Sequence, residues 1–406
     1  MTFKTFLENS KRKWHEFSKT DSFKSITASL VAILIGILIG ILIIIITNPM
    51  NSGIGIGRLL MGSFNNPRGG WIGIGQLLYR ATPLIFTGLA VGFAFKTGVF
   101  NIGASGQFTL GMFVALVVGI LGDNLGIMQW PVALLAGGLA GALWGAFPGF
   151  FRAYFNVNVV ITGIMFNYIG MFLVNGLLGT SGPLYSRMVD GSQNRTIFVD
   201  QNARTPYFFF DKIFKNSGLD FGIILAIVAV VVIYFILNKT VFGRELKSVG
   251  LNRDAAKYAG VNEKRAMIIS MTISGFLAGI GGALYILAPS ARNLGMQYSI
   301  ENHILMQGFD GIPIALLGGS NPIGIFFAAL FVQYIKLSGD ALQSIGYAAE
   351  IVNLIVAVIL YFSAFGLIVS QQLAKLRKRK GSDDEADANR IIESETSEVS
   401  VNMEVE

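Results

Sequence analysis

The chain has 406 residues, of which 53% are apolar and only 14% are charged, and its formal net charge is +7. Soluble domains carry about 25% charged residues, so this composition indicates an integral protein of the lipid bilayer. The absence of cysteine excludes disulfides and thiolate sites, and His15 and His303 are too far apart in sequence to favour a metal site. Lys and Arg gather in the cytoplasmic loops of membrane proteins, so the positive charge does not indicate a nucleic-acid partner.

The hydrophobic runs predict an all-α protein, a bundle of about ten transmembrane helices with both termini in the cytoplasm. A basic arm, 1–25, precedes the first span, 26–47, which is long enough to cross a bilayer and has no signal-peptide cleavage site. Residues 48–80 are Gly-rich and are expected on the outer surface. The remaining predicted spans are 81–96, 104–122, 130–151, 157–178, 221–237, 266–288, 304–319, 323–337 and 347–370.

Three polar regions interrupt or follow this membrane domain, 26–370. The long loop 179–219 is expected outside the cell, although it holds five basic residues. The loop 239–265 is densely basic and is expected in the cytoplasm. The tail 371–406 is basic and then acidic, with few large apolar groups, and is expected to be disordered in the cytoplasm.

The basic loop contains a short helix signal. Asn252 can cap its N-terminus, Asp254 faces the helix dipole, and Gly260 can close a helix over 253–259. Small residues form a patch on one face of this helix: Ala255, Ala256 and Ala259. A short rigid helix with a smooth face between two spans is suited to docking into another protein. The alternative is a solvated loop with one helical turn, since these signals are generic.

Glycines recur every four residues on the span 130–151, at Gly137, Gly141, Gly145 and Gly149. Such a stripe lets a neighbouring helix approach closely, either as static packing, which is favoured, or as a moving interface. The sequence 274–279 faintly resembles 136–141 in a span of the opposite direction. An inverted repeat or small-residue packing alone could produce this similarity.

Uncharged and acidic side chains lie inside apolar surroundings at three places. The Gly-rich stretch 98–107 carries Asn101 and Gln107, which either line a pathway or cap a turn. Asn167, with Asn175 two turns later, suits interhelical hydrogen bonding or substrate contact. Asp310 lies between glycines, and the favoured interpretation is that it caps a half-helix; a pathway-lining role is the alternative.

Phosphate-binding and catalytic motifs are missing from the sequence. The pattern G-x-x-x-x-G-K-[ST] does not occur, so the chain has no P-loop of its own. A Ser/His/Asp set and paired intramembrane carboxylates are also lacking, and an enzymatic function therefore has little support.

Four stretches resemble a known family: FKTGVFNIGASGQF (95–108), NVVITGIMFNYIG (158–170), GRELKSVGLNRDAAKYAGVN (243–262) and GFDGIPIALLGGSNPIG (308–324). They are similar to permease subunits of bacterial ABC importers in the branched-chain amino acid and simple-sugar permease family. Within it, the chain looks most like the nucleoside importer permeases of Gram-positive bacteria. The resemblance covers about 81–370, and the loop 179–219 and both termini depart from the common pattern.

The resemblance implies a transporter complex of several subunits in the plasma membrane. This chain and a second permease would form the pathway, an ATPase with two cassettes would bind ATP and Mg²⁺, and an external lipoprotein would deliver a nucleoside; this chain itself would bind no cofactor. The helix at 253–259 would be the coupling helix, and the residues implied in coupling are Gly243, Arg244, Gly250, Asn252, Ala255, Ala256, Ala259 and Gly260. The candidates for lining the pathway are Asn101, Gln107, Asn167 and Asp310.

Other transport and enzyme classes remain as alternatives. A sugar or a branched-chain amino acid could replace the nucleoside as cargo. A secondary transporter would need paired titratable groups near the midplane, where the chain offers little beyond Asp310 and Glu350. A membrane enzyme would need a cluster of His, Asp or Cys at one interface, and the sequence does not suggest one.

Overall fold

The computed structural model describes residues 21–62, 64, 70–290, 295–358 and 361, and side chains from residue 34 onwards. The sites below lie in one compact unit, Ile39–Leu360; of the other unit, 1–38 and 361–406, it describes residues 21–38 and 361. The predicted tail, most of the N-terminal arm and the end of the last predicted span lie outside the described residues.

The described part of the chain is mainly helical. Short 3₁₀ turns cover Pro49–Asn51, Asp123–Met128 and Gln201–Ala203, and a small antiparallel hairpin pairs β1 (Val189–Asp190) with β2 (Arg195–Thr196). The α-helices are α1 Asp21–Thr47, α2 Ser52–Met61, α3 Gly70–Lys96, α4 Ala104–Leu121, α5 Gln129–Phe155, α6 Val159–Leu178, α7 Tyr185–Met188, α8 Phe210–Ile213, α9 Gly222–Lys239, α10 Val241–Leu251, α11 Arg253–Tyr258, α12 Glu263–Leu287, α13 Met306–Leu317, α14 Pro322–Gln343 and α15 Ala349–Val358.

Seven of the helices in the described ranges are long and apolar enough to cross a membrane: α3, α4, α5, α6, α9, α12 and α14. The predicted class, a polytopic bundle of helices, is therefore confirmed. The count of about ten spans and the cytoplasmic placement of both termini stay predictions. The segment predicted at 304–319 is the short helix α13, whose 12 residues cover about 18 Å, or roughly half a bilayer core.

Helix α3 begins well before the span predicted from hydropathy. The interpretation of 48–80 as a surface segment is wrong from Gly70 onwards, because α3 starts there. Its first turns are weakly apolar, but they are held by packing and charge. A Cβ on Gly75 would lie 2.5 Å from the side chain of Ser217, and the guanidinium of Arg80 lies 2.8 Å from the carboxylate of Asp340.

Glycine contacts hold α5 against α12 in the centre of the bundle. A Cβ on Gly141 would lie 2.3 Å from the carbonyl oxygen of Gly275, and one on Gly111 of α4 would lie 2.4 Å from Cα of Gly279. Only glycine fits at such distances, so three backbones meet without intervening side chains. The stripe predicted on α5 therefore serves close helix packing. A role as a moving interface stays a prediction.

The loop 179–219 is ordered and covers one end of the bundle. The amide of Thr205 donates to the carbonyl of Leu287 (3.0 Å), and the hydroxyl of Tyr207 donates to that of Ser290 (2.6 Å). Because α12 starts beside α11 and ends at Leu287, this loop lies at the end opposite α11. We call the end at α10 and α11, where the coupling helix is predicted, the coupling end, and the opposite end, at 179–219, the loop end. Placement of the loop end outside the cell stays a prediction.

Candidate functional site

Helix α11 forms at the coupling end where the sequence predicted it, and it is one residue shorter. The side chain of Asn252 accepts a hydrogen bond from the amide of Ala255 (3.0 Å), as a helix N-cap should. Gly260 has φ of +83°, a left-handed conformation that glycine adopts without a steric penalty. Thr240 caps α10 in the same way, through the amide of Gly243 (3.0 Å).

The predicted alanine face of α11 is split between two sides, so the prediction of a single docking face is wrong. Ala256 is only 3% exposed because it packs on the permease itself, while Ala255 and Ala259 are exposed. Beside these two lie Leu251, 88% exposed, and Tyr258, 94% exposed. Sequence reasoning missed both, although two large apolar residues in a charged loop were a visible signal. We call Ala255, Tyr258 and Ala259, together with Leu251 at the end of α10, the exposed face of α11.

The coupling segment is held rigidly to the bundle. A Cβ on Gly250 would lie 2.8 Å from the carbonyl oxygen of Lys96 and 2.8 Å from the amide nitrogen of Gly98, so the end of α10 lies directly on the end of α3. Gly243 is equally constrained, since its Cβ would lie 2.1 Å from the carbonyl of Ile236. These glycines serve packing inside the chain.

Charged side chains at the coupling end have separate roles. Arg253 pairs with Glu263, at the start of α12, and so links α11 to that helix. Arg244, also predicted to act in coupling, is exposed on α10. The ion pair therefore joins α11 to α12, and the glycine contact joins α10 to α3.

The chain between α3 and α4 turns back into the bundle and is held there by buried amides. Asn101 donates to Gln107 Oε1 (2.8 Å) and to Ser274 Oγ (2.8 Å) on α12. Asn167 Oδ1 accepts from the amide of Gly106 (2.7 Å), and its Nδ2 donates to the carbonyl of Ile102 (3.0 Å). Asn101, Gln107 and Asn167 are at most 1% exposed. Their hydrogen bonds fix the unwound backbone, as required at membrane depth.

A cavity of about 470 Å³ lies in the half of the bundle towards the loop end. This volume falls in the range of small-molecule sites. Its walls combine apolar and aromatic side chains with amides and charges, among them Gln76, Tyr79, Arg80, Asp220, Tyr285, Gln307, Asp310, Gln333 and Lys336. Of the four side chains predicted to line the pathway, Asp310 lies at this cavity. Asn101, Gln107 and Asn167 do not.

Asp310 does not cap a helix, so that interpretation is wrong. Helix α13 starts one turn earlier, at Met306, with Leu305 at the N-cap position. The carboxylate of Asp310 instead accepts a hydrogen bond from the ammonium of Lys336 on α14 (2.6 Å). Both side chains are partly exposed, 23% and 31% respectively, towards the cavity. The sequence could not reveal this pair, because its members are 26 residues apart on different helices.

Asp220 is the second acid in the cavity wall, and it lies just before α9. It is buried, and its carboxylate accepts hydrogen bonds from the hydroxyl of Thr205 and from the amide of Gly222 (3.1 Å). Burial raises the pKa of Asp220 to about 7, and the hydrogen bonds to its carboxylate offset only part of that rise. In the described residues, no group of three His, Cys, Asp or Glu side chains could hold a metal ion.

Residues 73–364 match the family described as the permease component of the branched-chain amino acid transport system. The chain belongs to this family. It is therefore a multi-pass protein of the cell membrane and a transport subunit, which is not itself an enzyme. The matched range contains α11, the buried amides and the cavity.

Three relatives extend this likeness. The chain is 34% identical to the guanosine ABC transporter permease protein NupP of Bacillus subtilis over 301 residues, 73% of this chain and 82% of the relative. It is 33% identical to the nucleoside ABC transporter permease protein NupB of Lactococcus lactis over 74% of this chain and 81% of the relative. It is 29% identical to the glucose ABC transporter permease protein TsgB13 of Haloferax volcanii over 77% of this chain and 81% of the relative. No solved structure matches the chain.

Proposed function

We propose that the chain is the permease subunit of an ATP-driven importer and that its cargo is a nucleoside. The observation that carries this proposal is the identity of 33–34%, over four-fifths of their length, with relatives named for guanosine and nucleosides. A glucose permease at 29% makes a sugar the second candidate.

The charges of the cavity favour an uncharged solute. Arg80 pairs with Asp340, and Lys336 pairs with Asp310, so neither cation is left to bind an anionic group. An amino acid carries two charges and would need unpaired partners in the wall. A branched-chain amino acid, the other alternative cargo, is therefore disfavoured.

The aromatic and amide side chains of the cavity favour a nucleoside over a sugar. Tyr79 and Tyr285 contribute rings against which a base can pack, which a sugar alone would not require. Gln76, Gln307 and Gln333 offer donors and acceptors to base edges and hydroxyls. An apolar wall with a few polar groups that fix orientation is the usual composition of a small-molecule site.

The energy would come from a separate ATPase with two cassettes, which would hold ATP and Mg²⁺. The exposed face of α11 is the surface we assign to this partner, since Leu251 and Tyr258 are among the most exposed apolar side chains of the described chain and lie outside its spans. A second permease subunit would complete the pathway, and an external binding lipoprotein would deliver the solute at the loop end.

Contacts inside the chain support a route from α11 to the cavity. Gly250 touches the end of α3, the next turn leads to Asn101, and Asn101 binds Ser274 in the middle of α12. The hydroxyl of Ser274 donates in turn to the carbonyl of Ala90 on α3 (2.6 Å). Closing of the cassettes would therefore move α11 and shift α3 and α12, both of which contribute cavity walls.

The experiment that tests the cargo is competition for uptake. Cells expressing the complete transporter take up labelled guanosine while unlabelled uridine, ribose, glucose or leucine is added in excess. We expect nucleosides to compete and the sugars and leucine to have no effect. Competition by glucose or leucine, without competition by nucleosides, would reject the nucleoside assignment.

A further inference from the structure

The segment Glu301–Leu305 runs along α6 from near its end to its middle. Asn175 lies three residues before that end, and its side-chain Nδ2 donates to the carbonyl of Glu301 (2.7 Å). At the other end, Ser105 Oγ donates to the carbonyl of Leu305 (2.6 Å), and the adjacent Gly106 is bound to Asn167. Eight helical residues separate Asn167 from Asn175, about 12 Å.

This segment therefore descends from the loop end to the middle of the membrane domain and re-enters as helix α13. Helix α6 has 20 residues, about 30 Å, which matches the hydrocarbon thickness of a bilayer. The carbonyl of Leu305 thus lies level with the middle of α6. The first amides of α13, like those of any helix, have no intrahelical partner, and the side chain at its N-cap position, Leu305, does not accept a hydrogen bond from them.

The surface of the segment is polar and exposed. Glu301, Asn302 and His303 are all exposed, and His303 Nδ1 lies 3.0 Å from Glu301 Oε2 with both side chains nearly 60% accessible. Met306, at the start of α13, is 63% exposed. Irregular backbone that descends to the middle of the membrane domain, with polar side chains along it, is not stable against lipid, where these groups would lose their hydrogen-bond partners. They require water or protein.

We propose that Glu301–Met306 is a wall of the water-filled pathway and faces the second permease subunit, and that the passing solute contacts Asn302 and His303. The next turn of α13 carries Gln307 and Asp310, which line the cavity, so the wall and the cavity are continuous along one helix. The identity of the solute rests on the proposed function, whereas the exposure of the wall to water does not.

The natural absence of cysteine makes the test direct, because a single introduced thiol is the only one in this chain, and the unsubstituted transporter reports any labelling of its partners. His303→Cys, Asn302→Cys and Met306→Cys are introduced one at a time into the complete transporter in cells. A charged, membrane-impermeant maleimide added outside measures their exposure to water. Phe172→Cys is the matched control, since Phe172 lies on α6 between Asn167 and Asn175, at the same depth, and is 58% exposed. Gln193→Cys, in the exposed hairpin turn, is the aqueous reference.

We expect the three wall positions to react within about tenfold of the rate of Gln193→Cys, and Phe172→Cys to react at least about 100-fold more slowly, since a maleimide needs an accessible thiolate. If one variant fails to assemble, the other two carry the test. The proposal is overturned if the assembled wall variants react as slowly as Phe172→Cys.

Protection by solute separates this proposal from the assignment of the cargo. Excess guanosine should slow the labelling of His303→Cys and leave that of Gln193→Cys unchanged. If the wall positions label quickly and glucose protects them while guanosine does not, Glu301–Met306 lines the pathway but the cargo is not a nucleoside.

Discussion

Tyr258 offers the sharpest test of how the ATPase docks. Its side chain is 94% exposed on α11, so Tyr258→Ala should leave the permease itself as stable as before. Burying a large, mostly apolar side chain contributes about 1.5–3 kcal/mol. If docking covers Tyr258, its loss should therefore weaken the complex by about 2 kcal/mol, or about 30-fold in Kd. Tyrosines at the centre of an interface often carry energies of this size.

Ala256→Trp, on the same helix, should lower the stability of the permease itself, which Tyr258→Ala should not. Ala256 is 3% exposed and packs inward, so a large ring there would displace α11 from its own bundle and destabilise the permease by about 1–3 kcal/mol. The melting temperature in detergent should fall for Ala256→Trp and remain unchanged for Tyr258→Ala.

The assay is a titration of the detergent-solubilised permease pair with the ATPase. Tyr168→Ala is the control, because Tyr168 is a half-exposed tyrosine on α6, far from the coupling end in sequence. It should bind the ATPase with the parent affinity. Binding of Tyr258→Ala within about twofold of the parent would refute the assignment of the exposed face of α11, since that difference is only about 0.4 kcal/mol.

Three further predictions concern stability and the cavity. Asp310→Asn should leave Lys336 unpaired and lower stability by about 1 kcal/mol, and adding Lys336→Gln should recover much of it; equal melting temperatures for the single and double variants would contradict the pairing. Gly141→Leu should prevent α5 from packing on α12, so the protein should be lost from the monodisperse peak in size-exclusion chromatography, and a normal peak would contradict the packing. Burial raises the pKa of Asp220 from 3.8 to about 7, which favours its protonated form in the folded state, so stability should fall as pH rises from about 4 to about 7. Asp220→Asn should flatten this dependence of the melting temperature on pH, and an unchanged slope would contradict it.

Hydropathy and capping were sufficient to predict the class of fold and the position of α11. Long apolar runs mark spans because lipid requires continuous helices, and Asn252 and Gly260 mark helix ends through local chemistry. Both signals depend only on neighbouring residues. The glycine stripe around Gly141 was also interpretable, since close packing requires one small residue in each turn.

Features set by distant residues could not be predicted. The Gly-rich start of α3 was predicted as surface, and the contacts that hold it in the bundle come from distant residues such as Asp340, which is 260 residues from its partner Arg80. Asp310 looked like a cap between glycines, and only the structure reveals Lys336 beside it. Which side of α11 faces inward depends on how α10 and α11 together pack against the bundle. This packing buries Ala256 and leaves Tyr258 exposed.

We propose that this permease moves a nucleoside only when a partner ATPase drives it. The most direct measurement is uptake of labelled guanosine in cells that lack the ATPase, while a potential-sensitive dye confirms an intact membrane potential. We expect uptake to fall to the level of cells without the permease and to return when the ATPase is restored, but not with a variant that cannot hydrolyse ATP. Undiminished uptake without the ATPase would contradict this and identify a secondary transporter.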